Sequence, residues 1–328
     1  MLTNTFVIAP TGLEEVFEEE MQLKKISYKH LGESNYYLPE VDPTHQLIWC
    51  SQIWHHAKEI SFTSIGDAVK KLKLEFPKLL TNSKKKNYYF HPTHSIRRMM
   101  LIAENFPTAK KEPPLIFGHF HDDDVRDCFI YVTLLDPNTL LVSTQASPHT
   151  PGGIFQFQED KVYPPSRAYL KLWEFFSRFK VSLNAQDVAI DLGSSPGGWT
   201  WVLAKYAKEV ISVDKAPLSS SIYGDKALSK ITSLSQSAYG LNPEDFLQVK
   251  WIFCDIIAYP EKTIEMILKW VRALQAKGMA PCFVCTLKFQ GKTNFKAIQM
   301  AQSFTGSHIV HLHHNKHELT WFFMQIPC

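Results

Sequence analysis

Apolar and polar positions alternate in short runs through the first half of the chain and settle into a regular strand–helix rhythm after it. TNTFVIAP reads as a strand. Thr11 then opens a helix over Gly12–Gln22 with acids in its first turns. A second amphipathic helix is expected over Gly66–Glu75, where Val69, Leu72 and Leu74 are among the apolar positions. FIYVTLLDPNTLLVSTQ predicts a hairpin turning at Asp136-Pro137-Asn138, and 105–125 reads as a loop. SPHTPGG (147–153) is the expected linker.

Beyond it the pattern predicts a helix over Ser166–Phe179, with Ser166 as N-cap and Leu170, Leu172, Phe175 and Phe176 apolar. Strands follow at Val188–Leu192, Val210–Val213, Trp251–Cys254 and Cys282–Leu287. Helices are expected at Trp199–Ala207, Thr263–Lys277 and Lys292–Ser303. Two successive strands, Ile309–His313 and Leu319–Gln325, suggest an antiparallel pair at or near a sheet edge. Lys215–Lys250 is polar, and its pattern does not place the elements within it. Near-continuous apolar strands alternating with helices mean a mostly parallel sheet covered on both faces. The expectation is an α/β, Rossmann-like, doubly wound domain over 151–328 behind an α+β region over 1–150.

Composition narrows this little, but charge does more. Residues 1–160 carry 16 Lys and Arg against 20 Asp and Glu, whereas 161–328 carry 19 against 12. A basic second half suits a polyanionic partner. No run approaches the roughly 18 apolar residues of a membrane span, and no signal peptide is visible, so a cytoplasmic protein is expected. The six cysteines then read as reduced thiols. Cys282 and Cys285 have zinc-ligand spacing, but a zinc ribbon needs a second pair, and a strand would point the two side chains to opposite faces.

The sharpest chemical signal is DLGSSPGGWT, from Asp191 to Thr200, where a buried strand turns into a helix. Ligands of open α/β sheets bind outside the carboxyl ends of strands at such turns. Gly193, Gly197 and Gly198 allow close backbone approach, and Ser195, Pro196 and Trp199 complete the turn. The next strand ends in Asp214, spaced as an acid that takes ribose hydroxyls. No Walker lysine–hydroxyl pair follows, which disfavours a nucleoside triphosphate. A tight turn without any ligand is the bland alternative.

This motif resembles the S-adenosylmethionine motif of the FtsJ/RrmJ family of ribose 2′-O-methyltransferases. The resemblance implies a Lys-Asp-Lys-Glu tetrad in a fixed order of elements. PPSRAYLKLWEF supplies Lys171, WIFCDI supplies Asp255, VCTLKF supplies Lys288 and NKHELTWFF supplies Glu318. The approach through PHTPGG to PPSRAYLKL, and VISVDKAPL, are similar to the RlmM branch. That branch methylates a cytidine ribose of large-subunit ribosomal RNA and carries a THUMP-type RNA-binding region. The resemblance therefore implies S-adenosylmethionine as cofactor and ribosomal RNA or its precursor as partner. The family's acid after the third strand is missing from SLSQSAYG, which leaves Gln236 or Ser237 for the adenine.

The tetrad also makes chemical sense by itself. A ribose hydroxyl must lose its proton as it attacks. Lysine is mostly protonated at neutral pH, but a second lysine nearby disfavours the charged form. Lys288 is expected as the base and Lys171 as that neighbour, with Asp255 and Glu318 orienting the pair and Asp255 also beside the methyl donor. Ordinary surface ion pairs are the plain alternative. His311, His313, His314 and His317, next to Glu318, suggest polar rims of a substrate groove more than a metal site. In the first half Lys84, Lys85, Lys86, Arg97 and Arg98 interleave with Tyr88, Tyr89, Phe90 and His91. Such a mix suits RNA binding, and equally suits loop lysines beside a core strand.

Overall fold

A computed structural model describes residues 2–42, 44–76, 87–106, 129–226 and 228–324. The chain divides into two compact units, Met1–Phe157 and Gln158–Cys328. The expected linker is part of the first unit. Pro151–Gly153 forms a 3-10 turn, and Gln52 holds it. The Gln52 side-chain amide donates to the Pro148 and Thr150 carbonyls (2.9 and 2.7 Å), and its oxygen accepts from the Gly152 amide (3.1 Å).

The first unit contains β1 (Thr3–Ile8), α1 (Glu14–Lys24), β2 (Lys29–His30), β3 (Asn35–Val41), β4 (Gln52–His55), β5 (Lys58–Ser61), α2 (Ile65–Glu75), β6 (Asn87–Phe90), α3 (Ile96–Ala103), β7 (Phe129–Asp136), β8 (Thr139–Ser143) and β9 (Gln145–Ser147). One sheet runs β2-β3-β1-β4-β9 and the other β5-β8-β7-β6. Phe6, Tyr37, Trp54, Tyr131, Leu141 and Ala146 form one core drawn from both sheets. A second core joins Ala68 and Leu72 of α2 and Met99 and Ile102 of α3 to Ile130, Val132 and Leu140. Ser64 caps α2 by accepting from the Asp67 amide (3.1 Å). Helix α1 starts at Glu14, later than the Thr11 cap predicts. Its first residues are instead tied by the Gly12 amide donating to Glu14 Oε1 (3.1 Å).

The second unit contains α4 (Tyr169–Phe179), β10 (Val188–Leu192), α5 (Gly198–Leu203), β11 (Glu209–Asp214), β12 (Lys230–Ser235), β13 (Val249–Cys254), α6 (Pro260–Ala276), β14 (Cys282–Lys288), α7 (Phe295–Gln302), β15 (His308–Val310) and β16 (Glu318–Phe323). Its single sheet runs β12-β11-β10-β13-β14-β16-β15. The first five strands of that order are parallel. β16 inserts antiparallel between β14 and β15. The final pair therefore reaches the edge through β15, while β16 is interior. Strands β10, β13 and β14 are buried along nearly their whole length, because helices cover both faces. Chain reversal at β10, with β11 on one side and β13 on the other, opens a crevice at the carboxyl ends.

Three sequence expectations fail for physical reasons. Ser166 does not cap α4, which begins at Tyr169 after Ala168 and has no side-chain cap bond. Helix α5 is short and ends at Leu203. The polar stretch after β11 holds the edge strand β12, whose residues are all at least partly exposed, so it lacks an apolar signature.

Candidate active site

Helix α4 is buried around its whole circumference from Tyr169 to Ser177, Lys171 and Glu174 included. Burying a lysine and a glutamate requires partners for both. Lys171 Nζ lies 3.2 Å from Asp255 Oδ1 and 2.7 Å from Glu318 Oε1. Asp255 stands just past the end of β13. Lys288 and Glu318 face each other in register on β14 and β16. Lys288 Nζ lies 3.0 Å from the same Asp255 Oδ1 and donates to the Asp255 carbonyl at 2.6 Å. Four groups distant in sequence thus converge, with both amines on one carboxylate oxygen and hence within about 6 Å of each other.

The pair is asymmetric. Burial disfavours charge on Lys171, but Asp255 and Glu318 outweigh it and hold its pKa above the ordinary lysine value. Asp255 and Lys288 line an open cleft, whereas Lys171 and Glu318 stand behind it. The amine turned to the cleft is Lys288.

The rest of that cleft is the β10–α5 turn together with the end of β11. Asp191, Gly193, Ser195, Pro196, Gly198, Trp199 and Asp214 line it, with Ser166 and Ile257. Gly193 (φ +79°) and Gly197 (φ +116°) adopt left-handed backbone. A Cβ on Gly193 would collide with Ile256, and one on Gly197 with Ile222. The sequence reading expects the glycines here to allow close backbone approach by a ligand. The amides of Gly193 and Ser194 donate to the Val213 carbonyl (2.8 and 3.2 Å), and that of Ser195 to Asp214 Oδ2 (3.1 Å).

The first part of the turn is therefore clamped to β11, and the carboxylates of Asp191 and Asp214 are on the cleft wall. Asp214 Oδ1 accepts from the Ala216 amide (2.9 Å), so each oxygen keeps a second lone pair. Asp191 accepts from Thr200 Oγ1 (2.6 Å), while its Oδ1 is buried without a partner. Burial pushes the Asp191 carboxyl up to about 7, with Asp255 adding to the rise. A buried orphan acceptor at the floor of a cleft is a polar group that a ligand donor can satisfy. Gly197, Gln236 and Ser237 are not on the cleft wall. Gly197 shapes the turn from behind, and the other two follow the exposed edge strand β12.

The histidines have a different fate from the one expected. His311 is buried, its ring Nε2 at 3.0 Å from the Lys316 carbonyl, and burial lowers its pKa to about 4. The amides of His313 and His314 donate to the two oxygens of Glu174 (2.7 and 2.9 Å), and His314 Nδ1 lies 2.8 Å from Glu174 Oε2. They brace a loop rather than rim a groove. Sequence reasoning missed Glu174, since no motif marks a carboxylate whose partners are mainly backbone amides. Cys282 and Cys285 both lie in β14, and the Cys285 thiol is pushed well above its ordinary range by burial and by its neighbour Cys254. Among the described residues, no group of three or more His, Cys, Asp or Glu is placed to hold a metal ion.

In the first unit, Lys84, Lys85 and Lys86 lie outside the described residues. Arg97 is exposed on α3. Arg98 is engaged internally, over the Phe62 ring (5.2 Å) and donating to Asn138 Oδ1 (3.2 Å). Tyr88 belongs to the core and packs tilted on Phe106 (4.5 Å). His91 is bound to Asn35 Oδ1 (2.7 Å), and burial takes its pKa down to about 4. Tyr88 and His91 are thus engaged in the packing of the first unit. Among the described residues, no helix is long and apolar enough to cross a membrane.

Comparison with known proteins agrees with this geometry. Residues 164–315 match the model of the family described as FtsJ-like methyltransferase. The Ribosomal RNA large subunit methyltransferase M of Pasteurella multocida is 31% identical over 173 residues, covering 48% of this chain and 46% of that protein. The protein of the same name from Laribacter hongkongensis is 33% identical over 143 residues, covering 42% and 38%. The matches thus span about half or less of those relatives' length. The expected resemblance to the FtsJ-like methyltransferase family holds over residues 164–315, within the second unit.

Proposed function

We propose that the protein is an S-adenosylmethionine-dependent 2′-O-methyltransferase of large-subunit ribosomal RNA. The observation that carries this reading is the shared Asp255 oxygen, which joins a cleft-facing amine to a permanently charged one. S-adenosylmethionine, when bound, supplies an electrophilic methyl group. Asp214 and Asp191 are the residues whose remaining acceptor capacity fits its hydroxyls and amino group, with the Gly193 turn leaving room for it.

The chain's own chemistry is proton management. The ribose 2′-hydroxyl proton passes to neutral Lys288 Nζ, which becomes an ammonium held by Asp255. Lys171 stays charged between two acids and shares the Asp255 oxygen with Lys288. Asp255 and Glu318 fix both amines, and the rest of the acceleration is alignment. In this reading the first unit grips RNA as a THUMP-like region, with Arg97 among the exposed cations available for it, in the cytoplasm.

Labelled S-adenosylmethionine and ribosomal RNA from cells lacking the protein test the proposal. One ribose should become labelled. Lys288→Ala should lower turnover by about 10²- to 10⁴-fold with cofactor binding retained; unchanged turnover removes Lys288 as base.

A further inference from the structure

The short segment that follows Asp255 has a composition unusual for the rim of a polar cleft. Ile257 is 82% exposed and Tyr259 57% exposed. Ile257 also lines the cleft beside Asp255 and Lys288. Exposed apolar groups next to a site mark contact surface more often than chance.

This segment is held at both ends. Lys288 Nζ donates to the Asp255 carbonyl at its start. At its end Pro260 opens α6 and fixes Tyr259 in an extended conformation. The Tyr259 carbonyl there accepts from the Lys262 and Thr263 amides (3.1 and 3.3 Å). The ledge is thus presented by backbone that is already ordered.

Charge surrounds it. Lys262, in the first turn of α6, is exposed. Lys292, in the loop between β14 and α7, is exposed too. That loop is tied to the same turn by the Asn294 side-chain amide, which donates to Glu261. Neither lysine makes an ion pair among the described residues. Unpaired cations flanking an exposed aromatic are what a single nucleic-acid strand requires, charge for phosphates and a ring face for an unstacked base.

We propose that Ile257 and Tyr259 form a stacking ledge for an unpaired base of the RNA strand at the cleft mouth, with Lys262 and Lys292 on its phosphates. The proposal rests on the methyltransferase reading of the cleft and adds to it where the strand runs.

The test uses the full chain and a fluorescein-labelled, unstructured oligoribonucleotide of about 12 nucleotides, within the range one such groove covers. Tyr259→Ala should weaken binding roughly tenfold, and Tyr259→Phe should bind as the parent does. Combined Lys262→Ala and Lys292→Ala should flatten the dependence of log affinity on log salt by about 1.4, the share of two phosphates. Parent affinity in Tyr259→Ala, or a phenylalanine variant as weak as the alanine one, overturns the ledge. Calorimetric titration with S-adenosylmethionine keeps the two readings apart. If the parent protein binds no S-adenosylmethionine, the methyltransferase reading fails, while the oligoribonucleotide result still decides the ledge.

Discussion

Helix α4 carries two buried charges one turn apart, and they are neutralised in opposite ways. Lys171 is met by carboxylates, Asp255 and Glu318, and through Asp255 it shares an oxygen with a second amine. Glu174 is fully buried and is met mainly by hydrogen-bond donors, two amides and a ring nitrogen of the 311–317 loop. Both arrangements satisfy a buried ion. Only the first leaves charge poised beside a cleft. The second closes on itself and fixes the loop that leads into Glu318, so it supports the site without entering its chemistry. A buried charge is functional when its partners remain able to change their bonding, and structural when they are spent.

The largest effect that can break this contrast is on stability. Glu174→Ala leaves three donors without their acceptor inside the protein, and breaking such a buried charged network costs about 3–5 kcal/mol. Chemical denaturation should show that loss. Glu174→Gln keeps one acceptor oxygen and should recover part of it. If the alanine variant is as stable as the parent, the loop is not held from α4.

Lys171→Met should divide the other way. Its long apolar side chain fills the space while Glu318 loses its ion-pair partner, so the variant should fold with reduced stability. Turnover should fall by about two orders of magnitude or more, a share typical of a group acting on proton transfer. Cofactor binding should stay close to the parent's, because Lys171 does not line the cleft. Turnover equal to the parent's would reduce Lys171 to a packing residue.

What sequence could and could not reveal follows the same division. Lys171, Asp255, Lys288 and Glu318 are legible through the FtsJ/RrmJ resemblance, which implies a tetrad on the preceding helix and near strand ends. The DLGSSPGGWT turn was legible because its glycines are demanded by left-handed backbone and close packing at Gly193 and Gly197. Glu174 was not, since a helix carrying Leu170, Leu172, Phe175 and Phe176 reads as amphipathic, and Glu174 reads as its wet face. In fact no face of α4 is wet over Tyr169–Ser177. Strand β12 was missed for the converse reason: as an edge strand it needs no apolar pattern. The rings of Tyr88 and His91 looked available for bases because sequence cannot distinguish a packed aromatic from an exposed one.

The smallest predicted effect concerns acid. His311 is buried in the loop that Glu174 holds, and its folded-state pKa is depressed to about 4. A group with a depressed folded pKa contributes stability above its unfolded value, near 6.5, and that contribution is lost as pH falls through 4. Over this window the loss is at most about 3 kcal/mol. Lys171 does not share it, because its raised pKa leaves it charged throughout. Acid should therefore loosen the 311–317 loop before it alters the amine pair. Denaturation midpoints measured from pH 7 to pH 4.5 should fall more steeply for the parent than for His311→Gln, which has no ring to protonate. Parallel slopes would place the acid sensitivity outside the loop and dissolve the distinction drawn between the two ends of this one helical turn.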